Sequence, residues 1–273
     1  MKELEWIREL REDFESGNQA AFPPKEYFKD LECCPPDLIG RQLRQSTRRA
    51  KAGDLDEIWA LAEYYALGGE DRKIPRNYKK AIYWYGKAAE YKSEYRGVAL
   101  YNLARCYRDS RGKNRDCKKA YEMLKALAKI DCSKITLAEE AQFTTYAAVS
   151  LAYCYYNGLG TERNASKAIA IWKEYAEKGD ETACRNLGVE YLSGKHLKRD
   201  YEKAFYWTKK AAELGDVKAI NNLGWCYEKG YGTEKDVNKA VEYYKKAASS
   251  GNRIARNNLK RLKKKGVIAD EID

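Results

Sequence analysis

Two copies of one unit stand side by side in this chain: residues 181–216 read ETACRNLGVEYLSGKHLKRDYEKAFYWTKKAAELGD, and residues 217–252 read VKAINNLGWCYEKGYGTEKDVNKAVEYYKKAASSGN. Their landmarks coincide, so that Leu187 aligns with Leu223 at a spacing of 36 residues. A fixed period of this length is typical of repeat architectures, so we expect the fold to be built from stacked copies of the unit.

The unit itself predicts a pair of α-helices. Ala183, Leu187 and Tyr191 follow one another at four-residue steps, which places them on one face of a first helix. Gly194 is suited to end that helix because glycine adopts positive φ at low cost. Asp200 can then accept a backbone hydrogen bond and begin a second helix. A helix pair cannot bury its apolar face alone, so the sequence predicts an all-α solenoid of stacked antiparallel pairs.

The same frame continues toward the N-terminus. Its leucine is found at Leu61, Leu103, Leu151, Leu187, Leu223 and Leu259. The wider early spacing predicts an insertion near 130–143. Five full repeats are therefore predicted, at 53–92, 93–131, 144–180, 181–216 and 217–252. Because a solenoid is quasi-one-dimensional, we expect one continuous domain.

Both flanks of the repeats are predicted to act as caps. Residues 1–52 do not follow the frame clearly, although 37–52 resembles the second helix of a degenerate leading half-repeat. Residues 253–273 are expected to form a closing helix and a short acidic tail. Such polar ends are what a solenoid needs for solubility.

The string LGxxYxxGxGxxxDxxKAxxWYxKAAExGD resembles the SEL1-like repeat, a relative of the tetratricopeptide repeat. The residues that carry this resemblance are clearest in the last copy: Asn222, Leu223, Gly224, Tyr227, Gly230, Gly232, Asp236, Lys239, Ala240, Tyr243, Tyr244, Lys246, Ala247 and Ala248. Ala62 and Ala104 depart from the pattern at the glycine after the leucine. The resemblance covers about residues 53–262. It implies a right-handed α-solenoid that binds other proteins, and it does not imply chemistry.

Composition and cysteine placement limit the location of the protein and the kinds of site that it can contain. No apolar run approaches the roughly 18 residues of a membrane span, and the N-terminal stretch lacks the apolar core of a signal peptide, so we expect a cytoplasmic protein. Three cysteines share one repeat position, three residues after the leucine, and are expected to be buried thiols: Cys106, Cys154 and Cys226. Cys33-Cys34 reads as a loop pair, with a redox switch as the alternative. One histidine and no CxxC pair argue against a metal site, and no cofactor is expected.

The resemblance also implies a binding groove. If tetratricopeptide geometry holds, positions two before, one before and two after the repeat leucine line the concave wall. We therefore predict these partner-binding residues: Tyr101, Arg105, Tyr153, Arg185, Asn186, Asn221, Asn222 and Trp225. Asn can pair with a peptide backbone and Arg with a carboxylate, which suits a protein or peptide partner that carries acidic groups. The alternative is internal use: the asparagines directly before the leucine (Asn102, Asn186, Asn222 and Asn258) can bond neighbouring helices, and Arg185 can pair with an internal acid such as Glu190.

The predicted function is a non-enzymatic scaffold or adaptor for protein–protein interaction. A net charge of +11 can attract nucleic acid. However, lysines recur at fixed repeat positions such as Lys209-Lys210 and Lys245-Lys246, which favours a solvated helix face, so nucleic acid is the least favoured partner. An enzyme is disfavoured because the chain lacks a nucleophile motif and a phosphate-binding loop. A protein that captures or sequesters a small ligand or inhibits a partner stays open as the alternative.

Overall fold

The computed structural model describes residues 36–68, 76–91, 96–110, 115–130 and 138–267. These residues form α-helices and no β-strand, which confirms the all-α prediction. The helices are α1 (Pro36–Lys51), α2 (Leu55–Leu67), α3 (Tyr78–Glu90), α4 (Arg96–Asp109), α5 (Cys117–Leu127), α6 (Ala138–Asn157), α7 (Ala165–Glu177), α8 (Glu181–Ser193), α9 (Tyr201–Glu213), α10 (Val217–Lys229), α11 (Val237–Ser249) and α12 (Arg253–Lys264). The Cys33-Cys34 pair and the acidic tail lie outside the described residues.

The chain divides into two compact units between Arg163 and Asn164. Unit 1 contains α1–α6, and unit 2 contains α7–α12. Within each unit every helix packs against the next one along the chain, as stacked helix pairs require. In unit 1, α4 also packs against α6, so the first helices of the second and third repeats are neighbours. These contacts confirm the solenoid class of the fold.

The predicted helix ends are confirmed. Gly194 ends α8 with φ 67° and Gly230 ends α10 with φ 72°, both in the left-handed region. Asp200 Oδ1 accepts a hydrogen bond from the Lys203 amide at 2.9 Å, and Asp236 does the same for Lys239. Because an unsatisfied N–H at a helix start is costly, these caps explain why α9 and α11 begin where they do.

Small residues hold the two helices of a repeat close together. Leu187 is 1% exposed and Ala204 is completely buried. A Cβ atom added at Gly188 would stand 2.6 Å from Thr208 Oγ1 on the partner helix, so only glycine fits at this crossing. The leucine supplies apolar area, and the glycine and alanine set the helix–helix distance.

The second glycine of the Gly-x-Gly loop joins neighbouring repeats. A Cβ added at Gly160 would collide with the carbonyl oxygen of Cys117, the first residue of α5. A Cβ added at Gly232 would collide with the carbonyl oxygen of Tyr201, the first residue of α9. Each loop therefore lies against the start of the preceding repeat's second helix, and glycine is required because backbone meets backbone.

The repeat cysteines are free and buried, as predicted. Cys106 is 3% exposed, and Cys154 and Cys226 are completely buried. Burial raises the pKa of the Cys106 thiol to about 12 and that of Cys154 and Cys226 to about 11. The neutral thiol is neither a good nucleophile nor a metal ligand, so these cysteines act as small core residues.

The third repeat differs from the others in its first helix. α6 has 20 residues, whereas α8 and α10 have 13 each. It begins at Ala138, within the insertion predicted near 130–143. The sequence Ala-Glu-Glu-Ala at its start consists of strong helix formers, so part of the extra length extends a helix.

Candidate functional site

The three predicted groove positions differ in exposure. Two residues after the repeat leucine the side chains reach solvent, as at Arg105, Tyr153 and Val189. Two residues before the leucine, half of the side chains are core: Trp59 is 7% exposed, Val149 4% and Asn221 6%. Tyr101 and Arg185 at this position are half-buried, and Asn257 is exposed. The helix surface that is open to a partner therefore follows the column after the leucine.

An arginine–tyrosine strip, formed by Tyr101, Arg105, Arg108 and Tyr153, lies on α4 and α6 of unit 1. The Tyr101 hydroxyl lies 3.3 Å from Ser150 Oγ and links the two helices. The Arg105 guanidinium carbon lies 5.7 Å from the centre of the Tyr101 ring, and that of Arg108 lies 5.4 Å from the centre of the Tyr153 ring. Both distances are within the range of cation–π contact, so each arginine packs over one tyrosine. The two pairs lie on α4 and α6, which pack against each other.

The two arginines of this strip differ in how far they are neutralised. Arg108 binds Asp109 through two hydrogen bonds, at 2.7 and 3.1 Å. Burial lowers the pKa of Arg108, but the bonded carboxylate outweighs this effect and the pKa is raised. Arg105 is exposed and donates to Asn102 Oδ1 at 3.2 Å, and it pairs with no carboxylate among the described residues. Arg105 is thus the cation of the strip that is available to an external anion.

In unit 2, Arg185 is used within the fold. Its Nε donates to Asp216 Oδ2 at 2.8 Å and its Nη1 donates to Asn186 Oδ1 at 3.2 Å. Asp216 also caps α10, where its Oδ1 accepts from the Ala219 amide at 2.7 Å. The internal acid that pairs with Arg185 is therefore Asp216, and the pair ties α8 to the start of α10.

Two of the predicted asparagines, Asn221 and Asn222, belong to an internal amide network. Asn258 Nδ2 donates to Asn221 Oδ1 at 3.0 Å, and Asn221 Nδ2 donates to Asn222 Oδ1 at 3.3 Å. Asn221 is buried, and its amide bridges α10 and α12. The bonding between neighbouring helices that the sequence left open for the asparagine before the leucine is thus present at Asn258, whose partner is Asn221, while Asn186 and Asn222 are half-buried.

Trp225 belongs to an aromatic cluster in unit 2. Its ring lies 5.1 Å from that of Tyr231 at an interplanar angle of 72°. Tyr231 in turn stacks on Tyr201 at 4.5 Å and 8°. Trp225 is half-buried, so its packing against the loop tyrosine leaves only part of the ring open.

A second set of periodic lysines has a structural role that the sequence pattern did not reveal. The lysine before the helix-B alanine, where helix B is the second helix of a repeat, lies over a tyrosine of the first helix. The pairs and ring distances are Lys80–Tyr65 at 4.6 Å, Lys119–Tyr107 at 4.5 Å, Lys203–Tyr191 at 5.6 Å and Lys239–Tyr227 at 5.5 Å. These lysines therefore pack against rings within their own repeat.

An open cleft of about 410 Å³ lies in unit 1, lined in part by Tyr83, Trp84 and Tyr91. Lys87 at its edge is bonded to Glu90 at 2.7 Å. No group of His, Cys, Asp and Glu in the described ranges is arranged to hold a metal ion. None of the described helices has the length and apolar character that crossing a membrane requires.

Comparison with known proteins identifies the repeat. The family model described as "Sel1 repeat" matches the chain five times, at residues 58–90, 97–130, 145–180, 182–216 and 217–252. The five matches confirm the resemblance and the number of repeats. A search of curated proteins finds no match.

Solved structures share the fold. A Sel1 repeat protein from Oxalobacter formigenes is 26% identical, with a TM-score of 0.55, and the match covers 82% of this chain and 60% of that one. The antigen c5321 of uropathogenic Escherichia coli, described as having an SLR fold, is 26% identical with a TM-score of 0.51, covering 81% of this chain and 43% of that one. PA5086 of Pseudomonas aeruginosa shares the fold at 15% identity, with a TM-score of 0.51 and coverage of 86% and 85%. The chain thus spans less than two thirds of the length of the first two.

Proposed function

The chain belongs to the Sel1 repeat family, and from this premise we propose that it is a non-enzymatic scaffold that binds a partner protein through the arginine–tyrosine strip of unit 1. Members of this family are commonly protein-interaction scaffolds. The proposal adds the surface and the chemistry of the partner: an acidic segment that contacts α4 and α6.

The observation that carries the proposal is the joint exposure of Arg105 on α4 and of Tyr153 on α6, two helices that pack against each other. Tyr153 is 45% exposed although it is a large ring on a helix whose other face is core. Arg105 is exposed and forms no ion pair with a carboxylate of the described residues. Tyrosine and arginine are enriched among the residues that dominate protein interfaces, and a guanidinium can bind a carboxylate through two parallel hydrogen bonds.

The unit 2 residues rank lower as contacts than their sequence positions suggested. Polar atoms of Arg185 and Asn221 already form hydrogen bonds within unit 2. Replacing either residue would remove support for the fold as well as any contact. Asn186, Asn222 and Trp225 keep partial exposure and are secondary contacts in this proposal.

The test compares two double variants by affinity capture followed by binding measurements. Arg105→Ala with Tyr153→Ala removes the exposed part of the strip. Tyr206→Ala with Lys209→Ala removes an exposed tyrosine and a lysine from α9 and serves as the matched control. Proteins captured by the wild-type chain are identified by mass spectrometry, purified, and titrated against all three forms by calorimetry.

We expect the strip variant to bind the captured protein about 30-fold more weakly, since interface anchors each contribute about 1 kcal/mol or more. The control should bind as the wild type does. The single variant Arg105→Lys should bind more weakly than the wild type but more tightly than the strip variant. Lysine keeps the charge but cannot form two parallel hydrogen bonds with a carboxylate. Equal binding by the strip variant and the wild type would show that the partner binds elsewhere.

A further inference from the structure

The last described helix, α12, differs from the repeats in its charge. Between Arg253 and Val267 the chain carries no acidic residue. A cationic stripe, defined by Arg253, Arg256, Lys260 and Lys264, runs along α12 at helical spacing, and all four residues are exposed. It lies opposite the buried face formed by Ala255 and Leu262. The stripe therefore faces away from the rest of unit 2.

The stripe occupies positions that pack against other helices in the fifth repeat. At the 36-residue spacing, Arg256 corresponds to Ile220, which is 4% exposed, and Lys260 corresponds to Gly224. A Cβ at Gly224 would stand only 3.0 Å from the ring of Tyr244 on the partner helix. A lysine cannot occupy such a crossing, so this face of α12 is built to stay uncovered by a helix of the repeat type.

Some cations of the repeats have an acidic partner, which the stripe lacks among the described residues. Lys203 lies 3.1 Å from Asp200, and Lys178 lies 2.6 Å from Glu174. None of the four stripe residues forms an ion pair with any part of the chain that the structure describes. The positive charge of the stripe is thus concentrated and uncompensated over about 16 Å of helix.

We propose that the cationic stripe of α12 binds the phosphate backbone of double-stranded nucleic acid without regard to sequence. Lysine and arginine alone suffice for contacts to phosphates, which release counterions. The periodic lysines of the repeats gave no reason to expect nucleic acid, but α12 lies outside their pattern.

Other polyanions fit the stripe less well. A helix that lies in a membrane interface needs several large apolar side chains on its binding face, whereas Ile254 is the single large hydrophobic residue of α12 that is strongly exposed. Sites for single strands depend on aromatic rings that stack with bases, and α12 contains no aromatic residue. Protein interfaces are depleted in lysine, whereas half of the stripe is lysine. A duplex, which presents regularly spaced phosphates along a rigid surface, is the remaining match.

The test measures fluorescence anisotropy of a labelled mixed-sequence duplex of roughly two helical turns with the full chain. The stripe variant replaces Arg253, Arg256, Lys260 and Lys264 by Gln, which keeps helix propensity and removes four charges. The control variant replaces four exposed lysines on other helices, Lys173, Lys218, Lys245 and Lys246, by Gln and removes the same charge. Circular dichroism verifies that both variants keep their helices.

For the wild type we expect a dissociation constant of roughly 1–100 µM and a log–log salt slope of about −3 to −4, corresponding to four phosphate contacts. The stripe variant should bind at least about tenfold more weakly with a flatter slope. The control variant should lose less than about threefold, because it lowers the net charge without touching the stripe.

Four outcomes would overturn the proposal. They are no binding by the wild type in this range, an equal loss in both variants, tighter binding of a single strand of the same length than of the duplex, and stripe-dependent binding of phosphatidylserine vesicles without duplex binding. The second would indicate a diffuse field, the third base stacking and the fourth a lipid surface.

Discussion

The fourth and fifth repeats of unit 2 share one backbone frame but bury their carboxylates at different places. In the fourth repeat Glu190 is 2% exposed, three residues after the repeat leucine, where the fifth has Cys226. In the fifth repeat Glu228 is 7% exposed, five residues after the leucine, where the fourth has Leu192. The caps, the leucines and the helix lengths coincide, so the helices of the two repeats differ in their side chains.

Each carboxylate is held by a different set of partners. Glu190 Oε2 lies 3.1 Å from Nδ1 of His196 in the loop of its own repeat. Glu228 accepts two hydrogen bonds from Arg261 on α12, at 3.0 and 2.5 Å, and one from the Tyr244 hydroxyl at 3.0 Å. The fourth repeat thus uses its buried acid to hold its own loop, whereas the fifth uses it to hold the next helix. The frame fixes the backbone, and the variable core positions decide which elements are joined.

The loops between the two helices of the fourth and fifth repeats also differ at one position. Gly232 of the fifth repeat lies against the Tyr201 carbonyl, whereas the fourth repeat has His196 at the corresponding position. A histidine has a Cβ, so the fourth loop cannot approach the preceding helix as the fifth does. His196, which lies against Glu190, therefore occupies the position at which the fifth repeat makes its glycine contact with the preceding helix.

The largest effect is expected when the glycine contact of the fifth repeat is broken. Gly232→Ala places a Cβ against backbone at φ 68°, and we expect a loss of about 3 kcal/mol in the free energy of unfolding from the clash and the strained φ together. Gly251→Ala is the matched control: its φ is 83° with no atom within 4 Å, so about 1 kcal/mol should be lost. Urea denaturation measures both. Similar losses would mean that the loop shifts freely and that the contact does not stabilise the fold.

The features that repeat could be predicted from the sequence. The structure has the helix caps at the positions that the repeat predicted: N-caps at Asp200 and Asp236, and C-caps at Gly194 and Gly230. The buried position of the repeat cysteines followed from their shared register. These features depend on local backbone conformation and on the face of a helix, which a single unit of sequence specifies.

The side-chain partners of the candidate site could not be predicted in this way. Arg185 was a candidate for binding, yet it pairs with Asp216, and Asn221 is bonded to Asn258. These partners are 31 and 37 residues away, and the choice among nearby acids and amides depends on rotamers and exact distances that the period does not contain. Arg108 was missed because no groove position includes it, although its spacing of three residues from Arg105 places both on one helix face.

The second largest loss of stability is expected when Glu228, the carboxylate that joins α10 to α12, loses its arginine partner. Burial raises the pKa of Glu228, but its bonds to Arg261 and Tyr244 outweigh this, and the pKa is lowered overall. A lowered pKa in the folded state contributes stability above the unfolded pKa, and this contribution is lost as the pH falls through the lower folded pKa. Arg261→Ala should therefore cost about 2 kcal/mol at neutral pH, less than for a fully buried pair because Arg261 is 35% exposed.

The measurement is urea denaturation from neutral to acidic pH. The Arg261→Ala variant should approach the wild type as the pH falls, because the difference depends on the ionised carboxylate. Lys260→Ala, at the neighbouring exposed position, is the control and should change little at any pH. A cost for Arg261→Ala that does not vary with pH would assign the effect to lost packing instead.

The smallest effect is expected when the fourth repeat is given the residues of the fifth. The double variant Glu190→Cys with His196→Gly replaces a buried acid and its loop partner by the pair that the fifth repeat carries. Exchanging a buried ion pair for apolar residues is often neutral or stabilising, and here only Glu190 is buried while His196 is half-buried. The free energy of unfolding should therefore change by about 1 kcal/mol or less. Glu190→Cys alone and His196→Gly alone should each cost more than the double variant, because each leaves one partner of the pair behind. If the double variant costs as much as the two single variants together, the two side chains act independently, and the fourth repeat is not held by the pairing that distinguishes it from the fifth.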